Sequence, residues 1–339
     1  MSDTDTITLA HGAGGRQTAA LIDNVFARHF RNPEFTSDDA AILPLGNTRA
    51  AFTTDGFIVS PWRFPGGNIG KLSICGTVND LACMGAVPRY LSCAFQIEEG
   101  FAMEDLKAIA AAMAKTAAEA GVRIVAGDTK VAGRGQVDHI FITTTGIGEV
   151  LPGAEPSGSR ARPGDAVIVT GDIGRHGCAI LLAREDFGIE AEVTSDCAPL
   201  SGMVRQLFDA VADRKAIHTV RDATRGGVGT VLYEIARESR VGVHLKAAAI
   251  PVQPAVKGVC GMLGLEPLYL ACEGRLVILA PQDIAPQLLT TLREDPHGRD
   301  AAIIGCITDD PVGSIIVETE LGTQTLLPEP GGELLPRIC

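Results

Sequence analysis

The chain has 339 residues, of which 46% are hydrophobic and 21% charged, as is usual for a globular protein large enough for two domains. Its 41 acidic and 29 basic residues give a net charge of -12, which disfavours nucleic-acid binding, and an aromatic content of 4% disfavours base stacking. No apolar run approaches the ~18 residues of a membrane span. We expect no secretory signal, because the N-terminal residues lack a basic region followed by an apolar run, and nine cysteines without a CxxC pair predict reduced thiols in a cytoplasmic protein.

The N-terminal half is predicted to mix strands and helices around a Gly-rich loop. A first strand at residues 6–10 is followed by that loop, residues 11–15, and by a helix over 18–30. The later elements are strands at 40–43, 50–54, 89–98, 122–126 and 139–150, and helices at 70–84 and 103–120. The last of these helices is rich in Ala and stops at Gly121.

A second α/β half follows residues 151–164, whose three Pro and three Gly predict an inter-domain linker. Its elements are strands at 166–170, 217–221, 242–246, 275–279 and 302–305, helices at 177–185, 199–212, 226–240 and 282–292, and a hairpin over 312–327. We therefore predict a two-domain α/β fold, with domains at 1–152 and 153–320. The Pro- and Gly-rich tail, 321–339, is predicted to be a flexible, extended arm.

Acidic residues stand at several strand ends and inside one helix. They are Asp39 (with Asp38 beside it), Asp55, Asp80, Asp128 and Asp222. Any one of them would be explained as a cap or turn residue. Asp80 is harder to explain in that way, because its helix is otherwise apolar and an unpaired acid there is costly. Since magnesium prefers carboxylate and phosphate oxygens, the set predicts a shared cleft for Mg2+ and ATP.

Other polar residues extend this candidate site. Lys130 follows Asp128 by two residues and could contact phosphate, although a lysine at such a place is usually solvated surface. The 11–15 loop and the Gly226-Gly227 pair could each bring backbone N–H groups to a phosphate, or could be ordinary tight turns. Glu273 is either a turn acid or part of the site, and His176 is predicted to be structural rather than catalytic.

Cys339 stands at the end of the predicted arm. An exposed free thiol is prone to oxidation, so its placement there suggests a use. The arm has ~19 residues and could span ~60 Å when fully extended, which is enough to enter a partner's active site and then its own.

Six motifs occur in a fixed order along the chain: DDAA, TTDG, NDLACMGAVP, GDTKV, DATRGGV and ACEGR. Together they resemble the aminoimidazole-ribonucleotide-synthetase-like (PurM-like) ATPase superfamily, which includes selenophosphate synthetase and thiamine-monophosphate kinase. HGAGG at the start and PRIC at the end narrow the resemblance to the carbamoyl dehydratases of hydrogenase maturation, the HypE family. The resemblance implies an N-terminal domain that binds ATP and dimerises through its sheet, and a C-terminal α/β domain.

The resemblance also implies a reaction. A HypF-type carbamoyltransferase would load a carboxamide onto Cys339, and ATP would drive its dehydration to a thiocyanate. The cyano group would pass to a HypC–HypD complex, for the iron centre of [NiFe]-hydrogenase. The alternatives are a small-molecule kinase of the same superfamily, which would not need the terminal cysteine, and a non-catalytic scaffold regulated by ATP.

Finally, the resemblance assigns roles to residues. Cys339, Lys130 and Glu273 are the expected catalytic residues, Glu273 being the one that accepts protons or orients the substrate. The expected Mg2+ ligands are Asp39, Asp55, Asp80, Asp128 and Asp222, and Asp38 could replace Asp39. The expected nucleotide contacts are His11, Gly12, Gly14, Gly15, Asn79, Asp80, Lys130, Asp222 and Thr224.

Overall fold

The computed structural model describes residues 7–12, 15–30, 32, 34, 36–184, 188–329 and 337–339. Two α/β halves, each with its own sheet, confirm the predicted fold class. Of the helices that the structure describes, none combines the length and apolar character needed to cross a membrane.

Five strands form the N-terminal sheet. They are β1 (Ala41–Leu45), β2 (Thr48–Phe57), β5 (Ala86–Glu98), β6 (Arg123–Ala132) and β7 (Ile140–Val150). Their order across the sheet is β1-β2-β7-β5-β6. β1 and β2 form the predicted hairpin around Gly46 and Asn47, and β6 lies parallel to β5 at the far edge. A separate short ribbon pairs β3 (Arg63–Phe64) with β4 (Gly67–Asn68).

Helices cover one face of this sheet and leave the other open. The covering helices are α3 (Ile69–Cys83), which packs on β2, β5 and β7, and α4 (Met103–Ala120), which packs on α3. The bounds of α4 agree with the prediction, because its Ala-rich run ends at Gly121, which adopts a positive φ of 71°. On the open face, Phe52 and Tyr90 remain 43% and 41% exposed.

Seven strands form the C-terminal sheet. They are β8 (Asp165–Val169), β9 (Thr219–Asp222), β10 (Gly242–Lys246), β11 (Leu276–Pro281), β12 (Ala302–Thr308), β13 (Ile315–Glu318) and β14 (Gln324–Leu326). They follow the order β14-β13-β10-β12-β8-β11-β9. The helices of this half are α5 (Arg175–Ala183), α6 (Ser201–Asp209), α7 (Gly227–Glu238), α8 (Pro254–Leu263) and α9 (Ala285–Glu294). β8 is buried along its whole length, as is usual for a central strand covered on both faces.

Helix α3 joins the two halves, because its C-terminal part contacts α6 and β9 as well as its own sheet. Asn79 forms the polar link at this junction. Its Oδ1 accepts a hydrogen bond from the Leu200 N–H at 2.8 Å, and its Nδ2 donates to the Ala198 carbonyl oxygen at 3.1 Å. The junction brings Asp80, the next residue of α3, close to the end of β9.

Several expectations about the elements need correction. The first strand is wrong, because Leu9–Gly12 form a 3-10 turn. The helix over 18–30 is confirmed as α1 (Gly15–Leu21), a π-helical turn (Ile22–Phe26) and α2 (Ala27–Phe30). α8 was not predicted, since its Gly258 and Gly261 resemble loop residues. β14 lies beyond residue 321, so the sheet continues into the segment assigned to the tail.

Candidate active site

Four carboxylates from different elements meet in the cleft between the halves. Asp39 precedes β1, Asp55 lies near the end of β2, Asp80 belongs to α3 and Asp222 ends β9. Burial and the negative charges of Asp55, Asp222 and Asp39 raise the pKa of Asp80 well above its usual range. Burial, Asp39 and Asp55 do the same for the pKa of Asp222. The predicted convergence of these four acids is therefore observed.

A hydrogen bond fixes Asp80, and an ion pair fixes Asp39. The Thr53 hydroxyl donates to Asp80 Oδ2 at 2.9 Å, and Asp39 Oδ1 lies 2.6 Å from Arg221 Nε. Burial nevertheless raises the pKa of Asp39 to about 6. Among the described residues, no N–H or O–H group donates to its second oxygen, Oδ2.

The structure distinguishes the two adjacent acids that the sequence could not separate. Asp38 Oδ1 accepts hydrogen bonds from the Ser157 hydroxyl at 3.1 Å and the Gly158 N–H at 2.8 Å. Asp38 therefore fastens the segment between the halves, while Asp39 faces the other carboxylates.

The donor set of this carboxylate cluster (Asp39, Asp55, Asp80 and Asp222) fits a hard divalent cation. Close carboxylates raise one another's pKa unless a cation neutralises them, and Mg2+ takes carboxylate oxygens together with phosphate oxygens and water. In the described part of the chain, no three His, Cys, Asp or Glu side chains are arranged so that they could hold a metal ion by themselves. The cluster thus offers carboxylate ligands, and the other ligands would come from nucleotide and water.

Cys339 is seated in this cleft, and the expectation of an exposed arm is wrong for its last residues. Burial and the charge of Glu273 raise the pKa of the Cys339 thiol. The charges of Asp55 and Asp222 raise it further, while the charge of Arg225 lowers it. Ile338 is 6% exposed, and its main-chain oxygen lies 2.8 Å from His176 Nε2. Cys339 is therefore half-buried and shares one site with the carboxylates.

Glu273 is a buried acid with an oxygen that lacks a hydrogen-bond partner among the described residues. Glu273 is 2% exposed, and no N–H or O–H group of the described residues donates a hydrogen bond to its Oε1. Burial raises its pKa well above the usual range, and nearby Cys197 and Asp222 add to that effect. A carboxyl group whose pKa is strongly raised inside a cleft is a candidate acid–base residue.

Arg225 connects the cleft to the Gly-rich loop, and the sequence analysis did not select it. Its Nη1 donates to the Gly12 carbonyl oxygen at 2.7 Å, while Cys339, Asp55 and Glu273 all raise the pKa of its guanidinium. The signal was available, because Arg225 stands inside the DATRGGV motif, between Asp222 and the glycine pair.

Two expected ligands lie elsewhere in the chain. Asp128 and Lys130 belong to β6, where they are 60% and 72% exposed and pair with each other at 2.8 Å. Across the sheet, Asp55 of β2 is aligned with Thr144 of β7, then with Cys93 of β5 and finally with Gly127 of β6. Gly127 is therefore three strand spacings, or about 14 Å, from Asp55. Because neighbouring residues of a strand point to opposite faces, Asp128 and Lys130 face away from α3 and the carboxylate cluster. Within one chain, their expected place beside the other acids is therefore wrong.

The remaining expected nucleotide contacts have local partners. His11 Nδ1 is hydrogen-bonded to the Thr8 N–H at 3.1 Å, Thr224 accepts the Gly227 N–H at 2.9 Å, and Asn79 is occupied at the junction. Gly12 contacts Arg225, and Gly15 begins α1. Gly14 lies outside the described residues.

The Gly226-Gly227 pair is a turn with two positive φ angles, 76° and 62°. A Cβ on Gly227 would lie 2.5 Å from the Leu270 carbonyl oxygen, so no other residue fits there. This turn starts α7 and places Arg225 over the cleft.

Comparison with known proteins identifies the family of the chain. The family of AIR synthase related proteins matches with its N-terminal domain over residues 37–150 and with its C-terminal domain over 162–318. The carbamoyl dehydratase HypE of Azotobacter vinelandii is 45% identical over 335 residues, which are 98% of this chain and 97% of that protein.

Solved structures agree as well. A HypE in complex with ATP is 47% identical, with a TM-score of 0.82, covering 98% of this chain and 100% of that one. A chain from a HypE-HypF complex is 45% identical, with a TM-score of 0.86, covering 92% of this chain and 100% of that one. On these matches along nearly its whole length, the chain belongs to the HypE family of carbamoyl dehydratases.

Proposed function

We propose that this carbamoyl dehydratase acts on a carbamoyl group carried by its own Cys339. The thioester-linked amide, R–S–CO–NH2, loses its oxygen and both N–H protons and becomes the thiocyanate R–S–CN. The oxygen leaves with the phosphate that ATP releases, so the reaction consumes one ATP and yields ADP and phosphate. The cyano group is then available as a ligand for the iron centre of [NiFe]-hydrogenase.

The observation that carries this proposal is the position of Cys339. A reactive group on its sulfur would lie among Arg225, Glu273 and the carboxylate cluster, the groups to which the thiol is coupled electrostatically. A cysteine that served only as structure would not need a guanidinium and an unpaired buried acid beside it. A small-molecule kinase or a non-catalytic scaffold would not need Cys339 beside Arg225 and Glu273.

ATP supplies the phosphoryl group that turns the carbamoyl oxygen into a leaving group. A related HypE has been solved with ATP, and the carboxylate cluster has the donor set for Mg2+. We propose that Asp39, Asp55, Asp80 and Asp222 hold the cation. We place the nucleotide phosphates on the side of the cleft where Arg225 is hydrogen-bonded to Gly12. Gly15 and the turn at Thr224 border the same side.

Glu273 is proposed to accept an N–H proton from the carbamoyl nitrogen. Burial is the main cause of its raised pKa, and Asp222 and Asp55 add to it, so a cation that neutralises these two acids lowers that pKa and favours the ionised form of Glu273. Its basic form would therefore appear when the cluster is occupied. Arg225 remains positively charged and orients the thiol-bound group while it neutralises developing charge on oxygen.

We propose that Lys130 and Asp128 act at the active site of a second copy of the chain, since they face away from the carboxylate cluster of their own chain. They lie on the open face of the N-terminal sheet, where Phe52 and Tyr90 are 43% and 41% exposed. We propose that two chains associate through this face, as the family resemblance implies. Lys130 of one copy would then approach the phosphates bound by the other.

The proposed partners follow from the same chemistry. A HypF-type carbamoyltransferase would load Cys339, in line with the solved HypE-HypF complex. A HypC–HypD complex would accept the cyano group. We place these exchanges in the cytoplasm, where the thiols stay reduced.

ATP turnover with and without carbamoylated Cys339 tests the proposal. We expect phosphate release to depend on the carbamoyl group and to stop after one turnover per loaded cysteine. Equal phosphate release by a Cys339→Ala variant would contradict it and would favour a kinase or scaffold.

A further inference from the structure

Residues 337–339 lie in a slot formed by both halves of the chain. The Ile58 N–H donates to the Cys339 main-chain oxygen at 3.0 Å, and the Ser60 N–H donates to the Arg337 oxygen at 3.1 Å. Residues 58–60 directly follow β2, so the end of the tail pairs with the main chain as an added strand does.

Two side chains of the C-terminal half complete the main-chain contacts. His176, which is fully buried, has Nε2 2.8 Å from the Ile338 oxygen, and Arg184 Nη2 donates to the Arg337 oxygen at 3.0 Å. Each carbonyl oxygen of 337–339 therefore has a partner outside the tail. Main-chain hydrogen bonds of this kind hold a peptide without reading its side chains.

The Arg337 side chain is recognised separately. Its Nη1 forms an ion pair with Asp138, its Nε donates to the Ile58 carbonyl oxygen at 2.9 Å, and its guanidinium lies 5.7 Å from the Phe141 ring centroid. Arg337 also has a positive φ of 53°, a conformation that a residue with a side chain keeps only when its surroundings enforce it. The slot thus selects an arginine and holds it in an unusual backbone conformation.

Ile338 is the apolar anchor. It is 6% exposed and belongs to the same buried cluster as Phe57, Phe64 and Ile180. Burial of an aliphatic side chain favours binding, and an acid at this position would lose that gain and would also have its charge desolvated.

We propose that residues 58–60 with Asp138, Phe141, His176 and Arg184 form a peptide-binding site, the tail slot, that recognises the sequence Arg-Ile-Cys and accepts it in trans. The contacts above belong to residues 337–339, so a separate peptide that carries these residues can make them. The ligand is a short peptide with a cationic, an aliphatic and a thiol side chain in that order. This recognition does not depend on any reaction at Cys339, so it stands or falls apart from the proposed function.

The test uses the full-length Ile338→Asp variant, whose own tail no longer fits the slot. A fluorescent peptide with the sequence of residues 334–339, Leu-Leu-Pro-Arg-Ile-Cys, is titrated with this variant, and binding is measured by fluorescence anisotropy without nucleotide. We expect saturable binding. A peptide with Ile338→Asp should bind at least about tenfold more weakly, and one with Arg337→Met about three- to tenfold more weakly.

Placing Asp138→Asn in the same protein closes a double-mutant cycle with the Arg337→Met peptide. We expect Asp138→Asn and Arg337→Met each to weaken peptide binding. The two changes together should weaken it no more than either change alone. Asp209→Asn is the matched control, because Asp209 is 46% exposed against 47% for Asp138 and is likewise paired with an arginine, Arg214, at 2.6 Å. Lack of saturable binding by a variant with normal thermal unfolding, or equal binding of all three peptides, would overturn the proposal.

Discussion

His176 Nε2 lies 2.8 Å from the main-chain oxygen of Ile338, while its Nδ1 lies 2.8 Å from the Ser195 hydroxyl. Burial lowers the pKa of His176, so the ring is neutral and carries one proton. A carbonyl oxygen can only accept, so that proton is on Nε2, and the Ser195 hydroxyl donates to Nδ1. One histidine tautomer thereby holds the residue next to Cys339.

The first prediction concerns this hydrogen bond. His176→Leu should lower the free energy of unfolding by about 1–3 kcal/mol, because it leaves buried polar groups without a partner. It should also speed alkylation of Cys339, since the tail leaves the cleft more often. The alkylation rate of Cys339 is followed by mass spectrometry of the tail peptide. His218→Leu is the control, because His218 is also buried, pairs with Asp165 at 2.8 Å, and lies outside the tail slot. Equal acceleration in both variants would show a general loosening instead.

The second prediction concerns Asp80. Asp80→Asn keeps an acceptor for the Thr53 hydroxyl and removes one negative charge from the cluster. Calorimetry should show ATP affinity in Mg2+ reduced about tenfold or more, and little change without Mg2+. Asp105→Asn, at an exposed ion pair with Arg63, should change neither value. Unchanged affinity in Mg2+ would return Asp80 to a structural role.

The third prediction is a pH dependence of the stabilisation by Mg2+. A carboxyl group whose pKa is raised by folding favours the native state at low pH and opposes it as the pH rises through the folded value. For Asp39 that value is about 6, and the pKa of Asp80 and that of Asp222 are raised as well. Since a cation competes with the protons, we expect Mg2+ to raise the Tm more at about pH 8 than at about pH 5. A gain independent of pH would contradict cation binding by these acids.

The fold and most of the site followed from local patterns. The hairpin of β1 and β2 and the helix α4 were predictable because a turn pair and an Ala run with a Gly stop determine them locally. The convergence of Asp39, Asp55, Asp80 and Asp222 was predictable because caps and turns explain single acids at strand ends but not Asp80, which is costly inside an apolar helix unless it is paired or bound to a metal.

The remainder depends on contacts that are distant in sequence. Lys130 sits next to Asp128 in the chain, yet the register of β5, β6 and β7 turns both away from the cluster. The tail looked extended because its composition excludes a helix, and composition does not show that Ile338 is buried against residues of both halves. Such pairings arise from tertiary packing, which no local pattern records.

A fourth prediction tests whether Lys130 acts on a second copy. Lys130→Ala should reduce turnover, and so should Cys339→Ala. Mixing the two variants should restore activity, because a mixed dimer contains one intact Cys339 site facing one intact Lys130. Activity that does not return, although mixed dimers form, would contradict the arrangement and the dimer proposed for the open sheet face.

A fifth prediction concerns Glu273. Glu273→Gln should slow dehydration by about 100-fold or more, as loss of a general base does. Nucleotide affinity and loading of Cys339 should remain, because neither step needs this proton acceptor. A Glu273→Gln enzyme that dehydrates at the normal rate would assign the proton to another group.

The mass of the tail peptide that contains Cys339 tests the central claim most directly. The enzyme is incubated with carbamoyl phosphate, a HypF-type carbamoyltransferase and ATP, and the peptide is analysed before and after Mg2+ is added. We predict a gain of one carbamoyl group on Cys339, followed in Mg2+ and ATP by a loss equal to one water. A peptide that never carries the carbamoyl mass, or a carbamoyl group found on another of the nine cysteines and dehydrated there, would contradict the assignment of Cys339.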